Sequence, residues 1–255
     1  MSRRQAPTRP DFIKWLLLAG VAALVVLLGL FVLRNYILPH SVTVDRFRYP
    51  VAGIDVSKHN GVIDFGQVAA DNYQFVFIKA SEGKTYKDEA FDRNYRGACA
   101  AGLKVGAYHF FRKNRTGLEQ AENLLSIIGG KTLDLPVVID LEDDWGNGVT
   151  VDRKTAVQRV MEMAKCLNDK GYKVMIYTNL DGYGKYYKDI LEDCDLWLCS
   201  FNSPDMMRYT GQRFQQYSHE GSVAGVDGDV DLNVFMGDKD QWQRYLNEQQ
   251  QSTEQ

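Results

Sequence analysis

From Tyr49 onward the sequence repeats one pattern, in which an apolar run of strand length is followed by a turn signal and then by a helical stretch. Strands that alternate with helices predict βαβ units and a parallel sheet. Eight runs fit strands: 51–56, 75–79, 104–111, 135–141, 173–178, 195–201, 213–218 and 230–235. Five stretches fit helices: 64–73, 88–102, 116–129, 152–170 and 181–193. Eight strands of this kind favour a closed barrel.

The connections before the last two predicted strands differ from the others. Residues 202–212 and 219–229 are too short or too rich in Gly and Ser to form good crossover helices. Because a parallel connection usually needs a dozen or more residues, we expect some of the last strands to be antiparallel. The predicted fold class is α/β, an irregular TIM-like barrel with about five β/α units and eight strands. Hydrophobic residues make up 45% of the 255 residues, enough for a sizeable core.

The N-terminal segment has a different composition. Residues 1–14 are polar and basic, and residues 15–33 carry no charge, close to the ~20 residues that a transmembrane helix requires. The alternative is a cleavable signal peptide, whose apolar core of about 7–15 residues ends in a small-residue site. No such site follows the run before Pro39. We therefore predict an uncleaved transmembrane helix, and the basic residues before it favour a cytoplasmic N-terminus.

These features predict a division of the chain into five parts. They are a cytoplasmic tail at 1–14, a transmembrane helix at 15–33, a stalk at 34–49, a barrel domain at 50–238 and a polar C-terminal tail at 239–255. Within the tail, residues 240–245 fit one or two helical turns, and the Gln- and Glu-rich end is expected to fray.

One strand leads directly into a group of acids. The run that Pro136 opens is rich in β-branched residues and continues into Asp140 and Glu142. Side chains on a strand alternate between faces, so these two carboxyls point the same way, with Cα atoms about 6.5–7 Å apart. Such a pair can supply one protonated acid and one ionised carboxylate, as cleavage of a glycosidic bond requires. The alternative is a solvated acidic loop after a core strand.

Other polar residues also fall at the carboxyl ends of predicted strands, where barrel enzymes place their active sites. They are Asp55, Lys79, Glu82, Tyr108, Tyr177 and Asp231. Because the first and last strands of a closed barrel are neighbours, Asp55 and Asp231 should lie together across the mouth from Asp140. Four acids in one partly buried site raise at least one pKa. The alternatives are a capping role for Asp55, a loop position for Asp231 and a surface ion pair for Lys79 and Glu82.

Composition limits the remaining classes of function. A formal charge of -3 gives no basic excess, so no nucleic-acid partner is expected. The four histidines form no H-E-x-x-H motif and the four cysteines form no C-x-x-C pair. No metal or cofactor is expected, although Asp140, Glu142, Asp143 and Asp144 offer oxygen ligands that suit Mg²⁺ or Ca²⁺. A metal-dependent hydrolase is therefore the alternative enzyme class.

Five segments, taken in order, resemble glycoside hydrolase family 25, the N-acetylmuramidases of the Chalaropsis lysozyme type. They are GIDVS at 53–57, FVFIKASEG at 75–83, GAYHF at 106–110, DLE at 140–142 and VDLNVF at 230–235. The resemblance covers about residues 50–236. It implies cleavage of the β-1,4 bond between N-acetylmuramic acid and N-acetylglucosamine in the glycan strands of peptidoglycan. It also implies a barrel of eight strands and five helices.

The resemblance also implies roles for individual residues. Glu142 takes the place of the general acid and Asp140 that of its partner carboxylate, while Asp55 and Asp231 match the supporting acids. Tyr108 and Tyr177 match cleft residues, and Lys79 and Glu82 are further candidates for substrate binding. One position departs from the family: Gln215 stands where Trp often precedes Gln-Tyr, so packing or a sugar subsite should differ there.

Two catalytic routes and one non-catalytic function fit these residues. The 2-acetamido group of the substrate can attack the anomeric carbon with Asp140 orienting it, or a bound water can attack in an inverting route. A glycan-binding protein without turnover would use the same cleft. Together with the predicted anchor, the resemblance places the protein in a bacterial cytoplasmic membrane as a single-pass protein, with its catalytic domain on the periplasmic or cell-wall side.

Overall fold

The computed structural model describes residues 12–32, 42–142, 151–187, 194–205 and 209–251. The chain divides into two compact units, Met1–His40 and Ser41–Gln255. The predicted barrel lies in the second unit.

The first unit contains one described helix, α1 (Phe12–Val32). Its described side chains, at residues 15–31, are apolar. Nowhere in the described ranges does a helix have the length and apolar character needed to cross a membrane. The predicted transmembrane helix at 15–33, the membrane as a partner and the location in a cytoplasmic membrane are therefore corrected.

The second unit is built on nine described strands. They are β1 (Ala52–Val56), β2 (Phe75–Glu82), β3 (Tyr86–Lys87), β4 (Lys104–Phe110), β5 (Val137–Asp140), β6 (Val174–Asn179), β7 (Asp195–Cys199), β8 (Gln212–Gly221) and β9 (Val230–Phe235). Eight of them close into a barrel in the order β1-β2-β4-β5-β6-β7-β8-β9, and β9 pairs back with β1. The ninth, β3, adds a short antiparallel pair to β2. This confirms the predicted eight-strand closed barrel.

Some of the last strands were predicted to be antiparallel, and one of them, β9, is. The barrel pairs from β1 through β8 are parallel. The strand β9 is antiparallel to both of its neighbours, β8 and β1. The short, Gly-containing connection of residues 222–229 cannot carry the chain back to the other end of the barrel, so β9 returns in the opposite direction.

Helices surround the barrel on its outer face. They are α2 (Phe65–Ala70), α3 (Phe91–Ala100), α4 (Gly117–Ile128), α5 (Arg153–Asn168) and α6 (Leu180–Gly182), the last continued by a π-helical turn at Tyr183–Tyr187. Side-chain caps start several of them: Asp64, Thr116 and Asp152 each accept a hydrogen bond from a backbone N–H of the first turn. Residues 188–193 of the predicted fifth helix lie outside the described residues.

Aromatic rings fill the barrel interior at the amino ends of the parallel strands. Phe75, Phe77 and Phe214 are fully buried there, with ring centroids 5.1–5.8 Å apart. Glycines in neighbouring strands make room for these rings. A Cβ on Gly53 would lie 2.3 Å from the Phe75 ring, and one on Gly106 would lie 2.4 Å from the Phe77 ring. The half of the barrel interior at the amino ends of the parallel strands is therefore a packed core.

A C-terminal helix, α7 (Lys239–Gln251), closes this end. Trp242, Tyr245 and Leu246 occupy one face at i, i+3 and i+4 and are buried against the barrel rings. The ring of Trp242 lies 5.2 Å from that of Phe235. The helix is longer than the one or two turns expected for the polar tail, because three apolar contacts hold a segment whose other positions are mostly Gln, Asn and Glu.

The segment at 42–50, which includes part of the predicted stalk, packs against the outside of the barrel. Val44 and Tyr49 are buried in a cluster with side chains of β1, β8 and β9. The Tyr49 hydroxyl donates a hydrogen bond to Asp205 Oδ1 at 2.9 Å, and Arg48 forms an ion pair with the same carboxylate at 2.7 Å.

Candidate active site

Asp140 and Glu142 lie at the carboxyl end of β5, on either side of a firmly held residue. The N–H of Leu141 donates to the Tyr177 carbonyl at 2.9 Å, and its own carbonyl accepts from Thr178 Oγ1 at 2.7 Å. Both partners belong to the neighbouring strand β6. The structure therefore fixes the backbone that carries the two carboxyls.

Asp140 is buried, with 7% of its surface exposed. Its Oδ1 atom is also buried and accepts no hydrogen bond from any residue that the structure describes. A carboxylate oxygen without a donor inside a protein is energetically unfavourable. Asp140 Oδ1 therefore has an unused capacity to accept a hydrogen bond.

Both carboxyls have a raised affinity for a proton. Burial raises the pKa of Asp140 well above its ordinary value, and the nearby Glu142 raises it further, while the positive charge of Lys79 acts in the opposite direction. Burial also raises the pKa of Glu142, with a smaller contribution from Asp231. Because both cannot easily ionise together, the pair retains one proton into a higher pH range than isolated carboxyls would.

The second pair of acids, Asp55 and Asp231, meets across two antiparallel strands. The two residues are direct partners in the register of β1 and β9. Asp55 is buried, and its Oδ2 accepts hydrogen bonds from Asn233 Nδ2 at 2.8 Å and Gln216 Nε2 at 2.9 Å. Burial raises the pKa of Asp55 well above its ordinary value, and the charge of Asp231 raises it further. The predicted juxtaposition of these two acids is present.

A chain of hydrogen bonds connects Asp55 to the aromatic wall of the mouth. The Tyr177 hydroxyl donates to Gln216 Oε1 at 2.8 Å, and Trp197 Nε1 donates to Asn233 Oδ1 at 2.8 Å. Gln216 and Asn233 in turn donate to Asp55. Gln216 was not among the residues predicted from the sequence. Alternation along β8 from the inward-facing Phe214 would have placed it in the interior.

The two tyrosines predicted to line the cleft lie among these acids. Burial raises the pKa of both the Tyr108 and the Tyr177 hydroxyls well above the ordinary value, with further contributions from Asp55 and Asp140. The rings of Tyr177 and Tyr108 meet Trp197 edge-on, at 4.6 Å and 6.5 Å between centroids. Both hydroxyls therefore stay neutral hydrogen-bonding groups.

Lys79 and Glu82, at the end of β2, form a partly buried ion network. Lys79 Nζ lies 2.8 Å from Glu82 Oε2, and Arg112 Nε donates to Glu82 Oε1 at 3.0 Å. The Phe110 ring lies beside both cations, 5.1 Å from Lys79 Nζ and 4.7 Å from the Arg112 guanidinium carbon. Lys79 and Glu82 thus form the ion pair that was the alternative to substrate binding. The positive charge of Lys79 also acts on Asp140.

His219 is a second residue that the sequence analysis did not identify. It lies on β8, and its Nδ1 is 3.0 Å from Asp231 Oδ1. The hydrogen bond with Asp231 is the largest of the effects that raise its pKa to about 10. The ladder between β8 and β9 shifts register between Gln216 and Ser218 and again before Gly221. Because these irregularities interrupt strict alternation, the sequence pattern did not place His219 at the mouth.

Two other polar residues have structural surroundings. Gln215 is buried, and its Nε2 donates to the carbonyls of Ser200 and Asn202 at 2.7 and 2.8 Å. It therefore holds the connection between β7 and β8 at the position that departs from the family. His109 is buried against Ser81 and Gln120 on the outer side of the sheet.

The alternative metal site was predicted to use Asp140, Glu142, Asp143 and Asp144. Asp143 and Asp144 lie outside the described residues. Within the described part of the chain, no three His, Cys, Asp or Glu side chains are grouped so that they could hold a metal ion.

Comparison with known proteins gives a consistent family. The family described as Glycosyl hydrolases family 25 matches residues 54–226. The autolytic lysozyme of Clostridium acetobutylicum is 37% identical over 190 residues, which span 72% of this chain and 55% of the relative. Lysozyme M1 of Streptomyces globisporus is 34% identical over 205 residues, spanning 73% of this chain and 68% of the relative. The chain thus covers about half the length of the Clostridium protein.

Solved structures agree with this match over almost their whole length. A family 25 glycosyl hydrolase from Bacillus anthracis superposes with a TM-score of 0.72 at 32% identity, covering 81% of this chain and 97% of that one. A bacterial lysozyme from Streptomyces coelicolor superposes with a TM-score of 0.71 at 30% identity, covering 78% and 98%. With the barrel and its ordered motifs, these matches show that the chain belongs to glycosyl hydrolases family 25.

Proposed function

We propose that this protein is a lysozyme that hydrolyses the β-1,4 bond between N-acetylmuramic acid and N-acetylglucosamine in peptidoglycan strands. The observation that carries the proposal is the coupled pair of Asp140 and Glu142 at the mouth of the barrel, with one buried carboxylate oxygen lacking a donor. Two relatives, an autolytic lysozyme and lysozyme M1, support the same activity.

In this proposal Glu142 is the general acid that protonates the leaving glycosidic oxygen. It is more exposed than Asp140, so it can reach a bound glycan. A donor from the substrate, such as the N–H of a 2-acetamido group, would supply the missing hydrogen bond to Asp140 Oδ1. Hydrogen bonding to an ionised carboxylate lowers its pKa. Substrate binding would thereby leave Asp140 ionised and keep the shared proton on Glu142.

Two routes follow from this arrangement. In the substrate-assisted route the acetamido oxygen attacks the anomeric carbon and Asp140 stabilises the positive charge that develops on the nitrogen. In the inverting route Asp140 activates a water on the opposite face of the sugar. NMR of the first product distinguishes them, because initial release of the α-anomer excludes substrate assistance.

The other predicted residues form the wall of the site. Asp55, Tyr177 and Gln216 are joined by hydrogen bonds, so they would present a rigid polar surface to the sugar. Asp231 is the second supporting acid, and Tyr108 faces the same group of carboxyls. Lys79 would act by the charge it places near Asp140, with Glu82 holding it in position.

The test is the release of muropeptides from purified peptidoglycan by the full chain, with reducing ends identified by mass spectrometry. We expect reducing N-acetylmuramic acid, and release by Glu142→Gln that is lower by about 10²–10⁴-fold. The exposed Glu122→Gln variant on α4 is the matched control and should behave as wild type. Reducing N-acetylglucosamine would contradict the bond assignment, and binding of fragments without release would favour a glycan-binding function.

A further inference from the structure

A charged pair with an aromatic brace lies at the rim of the mouth. His219 Nδ1 and Asp231 Oδ1 are 3.0 Å apart, and the two side chains are 51% and 34% exposed. The ring of Phe201, on the connection after β7, meets the imidazole edge-on with centroids 4.6 Å apart. The imidazole is thus held on one side by a carboxylate and on another by an aromatic ring, which fixes its orientation.

The negative charge of Asp231 acts on two other acids of the site. Across the β1–β9 ladder it faces the buried Asp55, and its charge also acts on Glu142. His219 is the cation that contacts Asp231 directly. The other ionisable groups whose charges act on these acids are Asp140 on β5, Tyr177 on β6 and, through Asp140, Lys79 and Glu82 on β2. The Cys199 thiol lies beside the imidazole.

We propose that His219 is a positioning residue for the acids of the mouth. Its imidazolium orients the Asp231 carboxylate and partly compensates the negative charge that Asp231 exerts on Glu142, the proposed general acid. This inference rests on the proposed function, because it assigns to Glu142 the role of general acid. Nothing in the motifs of the sequence points to His219.

When His219 is protonated, its positive charge partly compensates the effect of the Asp231 charge on Asp55 and Glu142. The imidazolium lowers the pKa of Glu142, whereas Asp231 raises it. Since the pKa of His219 is raised to about 10, the compensation persists through neutral pH. Without it, an uncompensated carboxylate would raise the pKa of Glu142 and delay its ionisation to higher pH.

The first test is the pH profile of kcat/KM for the full chain on purified peptidoglycan. The alkaline limb of this profile reports the acid of the free enzyme. For His219→Gln we expect this limb to move up by about half a pH unit, the size expected for a partly exposed and screened charge pair. His219→Arg, which keeps the cation, should retain the wild-type limb. His59→Gln, at another exposed histidine, is the matched control.

The second test does not require turnover. Carbon-13 NMR titration of the Glu carboxyls in the full chain reports Glu142 directly, with the Glu142→Gln variant used to assign its signal. We expect the Glu142 midpoint to rise in His219→Gln and to stay in place in His219→Arg. If the wild type releases no muropeptides but the midpoint rises, the electrostatic inference stands and the proposed function fails.

Two results would overturn the inference. One is a Glu142 midpoint that is the same in His219→Gln and wild type while both remain folded. The other is an equal loss of kcat/KM at every pH in His219→Gln and His219→Arg, which would indicate a direct contact with the glycan or a structural role in place of a charge effect.

Discussion

The two ends of the barrel interior use the same alternating strands but hold opposite kinds of side chain. At the amino ends of the parallel strands, Phe75, Phe214 and Phe235 pack with Trp242 of α7. At the carboxyl ends the inward positions carry Asp55, Asp140, Gln216 and Asn233. One end thus buries apolar surface and the other buries carboxyls. Because only the first kind of burial is favourable, stability and chemistry are separated along the barrel axis.

The acidic end carries a pH-dependent cost. A carboxyl whose pKa is raised in the folded state binds its proton more tightly there than in the unfolded chain. Stability therefore falls as the pH rises above the unfolded pKa, and the full cost is present above the folded pKa. Asp55, Asp140 and Glu142 all shift in this direction. The aromatic end has no comparable pH dependence.

The largest expected effect is at the aromatic end. Phe214→Ala removes a ring within 5.1–5.7 Å of Phe75, Phe77, Phe235 and Tyr245. Large-to-small core substitutions of this kind cost about 3–5 kcal/mol, so the denaturant midpoint should fall strongly. Phe47→Ala, at a fully exposed ring, is the control and should change little. A denaturant midpoint unaffected by Phe214→Ala would show that the aromatic end does not stabilise the barrel more than the acidic end does.

The next effect is on turnover at the acidic end. Asp140→Asn removes the charge beside the reacting centre, and we expect muropeptide release to fall by about 10²–10³-fold, as when one preorganised electrostatic group is lost. The thermal midpoint should not fall, because the substitution removes a buried charge. Asp240→Asn, at the opposite end on α7, is the control. Loss of turnover that accompanies unfolding would not support a catalytic role.

Gln215 tests whether the outer side of the acidic end takes part in the chemistry. Gln215→Leu keeps the volume but removes the hydrogen bonds to Ser200 and Asn202, which should lower stability by about 1–3 kcal/mol. Turnover of the folded protein should stay near wild type. A fall in turnover with unchanged stability would instead place Gln215 in a sugar subsite.

The smallest expected effect is the pH dependence of the contribution that Asp55 makes to the stability of the fold. Asp55→Asn gives a neutral side chain whose oxygen can accept the same two hydrogen bonds. It should raise the thermal midpoint at pH 8 relative to wild type and have less effect at pH 4, where Asp55 is protonated more readily in both states. A gain of about 1 kcal/mol corresponds to about 2–4 °C for a domain of this size. A gain that grows toward acid pH would contradict the sign of the shift.

The sequence predicted the parts of the fold that depend on local pattern. Apolar runs of strand length, each followed by a turn signal, located the eight barrel strands, and acids at their ends indicated the mouth. Closure of the barrel then placed Asp55 beside Asp231 although the two residues are far apart in sequence. The hydrogen bonds of Gln216 and Asn233 to Asp55 depend on register, which pattern alone does not specify.

Other features were missed for physical reasons. His219 follows a register shift in β8, so counting alternate residues could not assign its direction. The apolar stripe of α7 consists of three residues among polar ones, and its burial depends on the open end of the barrel that it covers. For α1, the uncharged run at 15–33 predicted a transmembrane helix, whereas no helix in the described ranges has the length and apolar character to cross a membrane.

The most direct test of the account measures turnover and unfolding of Glu142→Gln in the same preparation at neutral pH. Muropeptide release should fall by about 10²–10⁴-fold, as expected for loss of a general acid. The thermal midpoint should equal or exceed that of wild type, because the variant removes a partly buried carboxyl whose pKa is raised. Release close to the wild-type rate, or a midpoint lowered as far as that of Phe214→Ala, would contradict the account.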